Sequence, residues 1–329
     1  MVLIKEVSEV QAKILKQLLV DGRKSELEIA QATNLTKETV KKNYRKMERK
    51  GIITGATTHI NYKLFGYKAV AHMLINVHFL QADKLIKYLQ KMSDVYSVYS
   101  RGVGGSVDVI MILRTLEQLN EVKDCIKSNF SVLEIKTAIW TDVKEMNYNL
   151  AITENNRKKN EAPIGHTTKT REKIKPITQE IDLKIADLLA EDGRMTMKSL
   201  GDKIGLSPNT AKRRYEKLKN DGILKVTIQV NPNRIGYRAL CIFFTVTSDE
   251  KSDMIIEKIC KIPDVISIMK TAGDYDLQIY AMVQDLDRLL SIQEEIGKIQ
   301  GITKMDTELL RFGPEWKKWP TPRQHISTF

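Results

Sequence analysis

Cysteine is nearly missing from this chain: Cys125, Cys241 and Cys260 are the three in 329 residues, and none stands in a CxxC spacing. That excludes a disulfide framework and a zinc-thiolate cluster, and it points to a reducing, cytoplasmic compartment. Long hydrophobic runs are also missing. The longest, Leu240–Val246, is broken by Thr245 and is far too short to cross a bilayer. Met1–Val10 carries Lys5 and Glu6 with no apolar stretch, so no secretory signal and no membrane partner are expected. The five histidines (His59, His72, His78, His166, His325) are scattered and form no pairable cluster. No nucleophile elbow, phosphate loop or metal-ligand spacing is found, so neither a metal nor a cofactor is expected. Acidic residues are the last shortage. Lys and Arg number 53 against 41 Asp and Glu, a net charge of +12 with pI near 9.3, which makes a polyanion the default partner.

What the chain does have is a repeat. Asp21-Gly22-Arg23 returns as Asp192-Gly193-Arg194, and at that offset of 171 Lys41 meets Lys212, Tyr44 meets Tyr215, and Gly51-Ile52 meets Gly222-Ile223. Between Asp21 and Ile52, 10 of 32 positions are identical, and the offset slips to 170 at Gly66-Tyr67 and Gly236-Tyr237. It reads as 168 where Asp108 is matched with Asp276. A repeat this long is a folded module, not a solenoid unit.

Each copy opens with helical periodicity, at Val10, Ile14 and Leu18 and at Ile181, Ile185 and Leu189. The Asp-Gly-Arg run then breaks the helix, with Gly22 and Gly193 expected as left-handed C-caps. A short helix follows near Glu26–Thr33 and Thr196–Ile204, then a tight turn at Asn34 and Gly205. Thr36 and Ser207 are placed as N-caps of a third helix, and Pro208 suits its first position. Helix, short helix, tight turn and capped helix is the helix-turn-helix order. On the third helix Val40, Tyr44 and Met47, or Ala211, Tyr215 and Leu218, face inward. The outward set is Lys37, Thr39, Lys42, Asn43 and Lys46, against Asn209, Thr210, Arg213, Arg214 and Lys217. Residues 36–50 hold seven basic side chains against two acidic, and residues 207–221 hold five against two. A charged helix face is commonly just solvated. The cap, the turn and the mixture of Lys, Arg, Thr and Asn favour contact with phosphates and base edges of double-stranded DNA.

The remainder of each copy alternates strand and helix in the order βαββαβ, a ferredoxin-like arrangement. Two helices cover one sheet face, and the other face is left apolar, so it needs a partner; the second copy is the obvious one. Asn147–Pro176 is polar and basic without an apolar period and reads as a flexible linker. The expected fold class is α+β: two copies of a winged helix-turn-helix plus a βαββαβ domain, pairing as an intramolecular pseudo-dimer. The divisions fall at 1–61, 62–146, the linker 147–176, 177–232, 233–312 and a tail 313–329. Trp316 and Trp319 in that tail are expected to dock on the protein's own surface.

With Ile181-Asp182, Asp192-Gly193-Arg194, Gly205-Leu206-Ser207-Pro208, Gly222-Ile223 and Gly273-Asp274-Tyr275-Asp276, the chain resembles the Lrp/AsnC (feast/famine) regulators. The first copy departs from that pattern, with Gln11 in place of the aspartate and Gly105-Ser106-Val107-Asp108 in place of the Gly-Asp-Tyr-Asp run. The resemblance implies a prokaryotic, nucleoid-associated transcription factor. It further implies dimerisation through the βαββαβ domains, further homo-oligomerisation, and an amino acid or other small molecule as effector. On that resemblance Gly104, Gly105 and Asp108, with Gly273, Asp274 and Asp276, mark two candidate effector sites. A Gly-Asp turn is equally what a plain hairpin uses. For DNA, Thr36 and Ser207 join the outward set as contacts. Two other readings stand beside a sequence-specific regulator. One is a weakly specific architectural DNA-binding protein. The other is a sirohaem-decarboxylase-like enzyme, since some such enzymes share this two-part architecture; the histidine their site resembles is missing from strands 95–101 and 265–270.

Overall fold

The computed structural model describes residues 7–60, 67–92, 94–101, 105–145, 150, 152, 180–248 and 252–311. The linker apart from residues 150 and 152, Gly104, and the tail with its two tryptophans lie outside them. The chain folds as two compact units, each built from both copies: residues 1–65 with 151–237 and 312–329, and residues 66–150 with 238–311.

In the first unit, copy 1 contributes α1 (Glu9–Val20), α2 (Glu26–Thr33), α3 (Lys37–Arg49) and β1 (Ile53–Ile60). In copy 2, α6 (Glu180–Glu191), α7 (Met197–Ile204), α8 (Pro208–Asn220) and β6 (Leu224–Val230) follow the same order. Reciprocal capping boxes start α1 at Ser8/Gln11 and α2 at Ser25/Glu28. Asn34 and Gly205 end the second helices in the left-handed region, at φ 55° and 71°. The wing strands do not fold back within their own copies. β1 pairs antiparallel with β6, from Ile53↔Val230 to Ile60↔Leu224, so each copy completes the other's backbone hydrogen bonds. Thr58 donates its hydroxyl to Leu189 O (2.7 Å) and Thr227 to Leu19 O (3.1 Å), tying each strand to the other copy's first helix.

This ribbon explains the Asp-Gly-Arg glycines differently from the expectation. Neither Gly22 nor Gly193 has positive φ; α1 is capped by Asp21 in extended backbone. A Cβ on Gly22 would lie 2.7 Å from the carbonyl carbon of Thr227, and one on Gly193 would lie 3.1 Å from Thr57 O. These positions are glycine because the other copy's strand passes against them.

The second unit holds β2 (Ala69–Val77), α4 (Ala82–Leu89), β3 (Val95–Arg101), β4 (Ser106–Leu113), α5 (Glu117–Asn129) and β5 (Val132–Glu145). Copy 2 adds β7 (Ala239–Thr247), α9 (Ser252–Ile259), β8 (Val265–Gly273), β9 (Leu277–Val283), α10 (Leu286–Gly297) and β10 (Ile302–Arg311). The strands form one eight-stranded antiparallel order, β10-β7-β9-β8-β5-β2-β4-β3. Its seam is β5 against β8, from Ala138↔Gly273 to Glu145↔Ser267. Alternate residues of each strand pack under helices, Met73, Ile75 and Val109 in copy 1 and Phe243, Ile279 and Ala281 in copy 2. The residues between them, including Leu74, Leu240, Ile242 and Phe244, are buried too. The apolar face that helices leave open is therefore covered.

Strand register also revises one sequence match. Leu74 stands opposite Asp108 and Phe244 opposite Gln278, so the counterpart of Asp108 is Gln278 at offset 170, not Asp276.

Candidate nucleic-acid interface and effector turns

Thr36 and Ser207 cap α3 and α8 by accepting from Thr39 N (3.1 Å) and Thr210 N (3.2 Å). Their hydroxyls also pair with those of Thr39 and Thr210 at 2.9 Å in each copy. Pro208 opens α8, where its missing N–H costs nothing. Each cap leaves the first turn of the helix exposed, with Thr36, Lys37 and Glu38 in one copy and Ser207, Pro208 and Asn209 in the other.

The outward set divides in two. Lys37, Lys42 and Lys46, with Asn209, Arg213 and Lys217, are exposed. Thr39, Thr210, Asn43 and Arg214 are half-buried. Asn43 donates to Thr39 O (2.9 Å), and Arg214 pairs with Asp182 on α6 at 2.9 Å. Arg214 thus holds α8 to α6, a contact Gln11 cannot repeat at the equivalent place in copy 1. Lys41, Arg45, Arg49 and Lys212 are exposed on the same helices and were not among the expected contacts. The i, i+4 spacing of Lys41, Arg45 and Arg49 was the signal for them. A shallow depression of about 560 Å³ runs along α8, lined by Asn209, Lys212, Arg213, Glu216 and Lys217 among others.

The recognition helices are joined through the Asp-Gly-Arg turns. Arg23 crosses to copy 2, donating to Gly193 O and Met195 O at 2.7 Å each, with its guanidinium 5.0 Å from the centre of the Tyr215 ring on α8. Arg194 crosses the other way and lies 4.8 Å over Tyr44 on α3. Burial pushes both tyrosine hydroxyls up from their ordinary pKa, and the facing arginines work against that rise. Lys219, at the end of α8, pairs with Asp21 at 2.8 Å. Burial works against its charge, but the hydrogen bond and the charge of Asp21 hold its pKa above the usual lysine value.

The candidate effector residues are not alike. Gly273 closes β8 at φ 141°, and a Cβ there would lie 2.4 Å from Thr137 O across the seam. Asp274 is exposed. Asp276 accepts from the Thr247 N–H at 2.7 Å and from its hydroxyl at 3.2 Å, which fixes the turn to β7. Tyr275 between them is buried against Phe244 and donates to Asp306; burial first, and that hydrogen bond next, push its pKa up. In copy 1, Gly105 stands at φ 78°, where a Cβ would meet Val77 O at 2.3 Å. Asp108 is not in a turn. It lies inside β4, 1% exposed, with Oδ1 2.6 Å from His72 Nε2. Strand register brings His72 onto the inner face beside Asp108, Gln278 and Trp140, a grouping that local spacing does not announce. Among the described residues no cluster of three or more metal-ligating side chains forms, and no helix is long and apolar enough to cross a membrane.

Comparison with known proteins finds both kinds of module in the chain. The "winged helix-turn-helix DNA-binding" pattern matches residues 8–54 and again 178–225, and the "Lrp/AsnC ligand binding domain" pattern matches 240–310. An uncharacterised HTH-type transcriptional regulator of Pyrococcus horikoshii is 30% identical over 139 residues, 42% of this chain and 88% of that protein. The HTH-type transcriptional regulator FL11 of Pyrococcus furiosus is 26% identical over 138 residues, 42% of this chain and 91% of its own length. Among solved structures, the sirohaem decarboxylase NirDL in complex with an iron-uroporphyrin III analogue superposes with TM-score 0.61 at 13% identity, covering 97% of this chain and 95% of that one. That likeness is one of fold. Two helix-turn-helix matches, a ligand-binding-domain match and relatives spanned almost end to end place the chain in the Lrp/AsnC family of transcriptional regulators, with its helix-turn-helix present twice.

Proposed function

We propose that this chain is a sequence-specific regulator that reads a DNA site with two unlike half-sites. The observation that carries this reading is the contrast between two recognition helices clamped in one unit. At equivalent positions α3 offers Glu38, Lys42, Arg45 and Arg49, while α8 offers Asn209, Arg213, Glu216 and Asn220. Arg213 and Asn209 suit base edges, whereas the lysines of α3 suit phosphates. Thr36, Lys37, Thr39, Lys42, Asn43 and Lys46 serve one half-site, and Ser207, Asn209, Thr210, Arg213, Arg214 and Lys217 the other. Half-site centres would stand about 34 Å apart, one helical turn, or a multiple of it. The divisions given from sequence, from the first helix-turn-helix at 1–61 to the tail at 313–329, serve this reading as its domains.

Selection of bound sequences from a random DNA pool tests the proposal. Two different half-sites in a fixed order are expected, and recovery of perfect palindromes overturns it. Equal binding to selected and random DNA at one salt concentration would instead mark an architectural protein. A small effector, an amino acid among the candidates, would act at the Gly273–Asp276 turn, where Asp274 is exposed. The buried Asp108 gives copy 1 no such group.

The likeness of the whole fold to NirDL supports a second reading, tetrapyrrole decarboxylation. His72 is 1% exposed and turned to Asp108 and Gln278, so it does not present itself to a substrate. Incubation with sirohaem and a search for decarboxylated product separates the two readings.

A further inference from the structure

The inner faces of the two effector copies meet around a polar cluster that is not symmetric. Register within each copy makes His72 equivalent to Ile242, Asp108 to Gln278 and Trp140 to Leu310. Gln278 Oε1 lies 3.0 Å from His72 Nδ1 and 3.0 Å from Trp140 Nε1, so one side chain of copy 2 is held by two of copy 1. An indole N–H only donates, so the atom facing Trp140 is the amide oxygen, and His72 Nδ1 donates to that same oxygen. His72 Nε2 faces Asp108, and the ring stacks on Phe244 with centroids 5.9 Å apart. His72, Asp108 and Gln278 are each 1% exposed.

We propose that these positions make the two halves heterotypic partners: each inner face fits the other half of the chain and rejects a second copy of itself. A pair of two copy 2 domains would set Ile242 and Leu310 where His72 and Trp140 now stand. Each Gln278 would lose its two 3.0 Å contacts and keep the long 3.5 Å one from Tyr280 of its own copy, so two carboxamides would be buried with little compensation. A pair of two copy 1 domains would gather two His72 and two Asp108 in one dry interface, doubling the buried ionisable groups.

The helix-turn-helix unit adds a separate bias against like pairing of copy 1 alone, since copy 2 keeps Asp192 in the place of Asp21 and could still offer it to Lys219. Lys219 pairs with Asp21 across the copies at 2.8 Å, and the residue of copy 1 equivalent to Lys219 is Glu48. A pair of two copy 1 domains would therefore set Glu48 against Asp21 at both joints, carboxylate against carboxylate. This preference rests on burial and hydrogen bonding within each unit and does not depend on what DNA the chain reads.

The test uses the full chain with a protease site placed in 147–176 and cut after purification. Heavy-isotope and light preparations are mixed, carried through the urea transition and back, and the reassembled pairs are counted by native mass spectrometry. Mixed pairs of copy 1 with copy 2 are expected to exceed each like pair at least tenfold. Random reassortment overturns the proposal, as does an excess of either like pair or a failure of the cut halves to re-pair at all. Gln278→Leu in the same cut chain should raise copy 2 like pairs at least tenfold over their wild-type share. An unchanged share would show that the cluster is not the source of the preference.

Discussion

Copy 2 holds the turn between its first effector helix and β8 with Arg288, where copy 1 uses Gln118. Arg288 reaches Asp264 (3.1 Å), Pro263 O (2.6 Å) and Glu295 (3.1 Å), and Asp264 is fully buried at φ 72°. At the same places in copy 1, Gln118 donates to a half-buried Asp94 at 3.3 Å and accepts from Arg114 N and Thr115 N. The backbone frame is shared, since Ile112 N bonds Asp94 O and Met282 N bonds Asp264 O, both at 2.9 Å. What differs is charge. Copy 2 buries its ionic tie under its own helix, whereas copy 1 buries His72 and Asp108 on the face it turns to its neighbour. Duplication preserved the ladder of each module and freed its side chains to specialise, one copy towards internal rigidity and the other towards partner choice.

The largest break in this comparison is expected at His72. Replacing it with the residue of the other copy, His72→Ile, takes a hydrogen-bond partner from two buried polar groups, Asp108 and Gln278, and should cost about 3–5 kcal/mol in urea unfolding. The counterpart Ile242→Val should cost about 1 kcal/mol, because it deletes one methylene. Equal losses would mean that the cluster is incidental. Next is the turn. Arg288→Ala should lower stability by about 3 kcal/mol through the buried Asp264, against about 1 kcal/mol for Gln118→Ala, which loses neutral hydrogen bonds.

The helix-turn-helix clamp should divide less sharply. Arg23→Ala loses two charge-assisted hydrogen bonds and a ring contact and should cost about 2 kcal/mol, while Arg194→Ala should cost about 1 kcal/mol by thermal unfolding. The smallest effect belongs to Asp187, whose equivalent in copy 1 is Lys16. Burial first, and Glu191 next, push its carboxyl up to about 6. The folded chain therefore binds this proton more tightly than the unfolded chain. The stabilisation is full below the unfolded value near 3.8 and is lost as pH rises through about 6. Asp187→Asn should flatten the stability profile between pH 4 and pH 7, by less than about 1 kcal/mol because the group is half exposed. A steeper profile in the variant would reverse the sign and refute the assignment.

The helix-turn-helix was legible because it is local. Thr36 and Ser207 declare their caps, Asn34 and Gly205 their left-handed turns, and Gly51 and Gly222, at φ 65° and 66°, their stops. The exposed lysines of α3 were legible for the same reason, since helical period alone sets which face they share. The half-burial of Arg214 was not legible, because its partner, Asp182, lies 32 residues away on another helix. Gly22 and Gly193 were given the wrong reason, since the strands that crowd them belong to the other copy. The repeat alone lets Asp108 align with Asp276, and only the ladder opposite Leu74 and Phe244 sets the register at Gln278.

By itself the sequence determined two modules, their order of elements, a basic recognition helix in each, and the need of an apolar sheet face for a partner. Those follow from period, capping and charge, which act over a few residues. The tertiary structure decided which residues cross between copies: the β1–β6 ribbon, the Arg23 and Arg194 clamps, and the His72–Gln278–Trp140 cluster. Such contacts join positions between 138 and 206 residues apart, and no local pattern encodes them, because burial and strand register exist only once the chain has closed on itself.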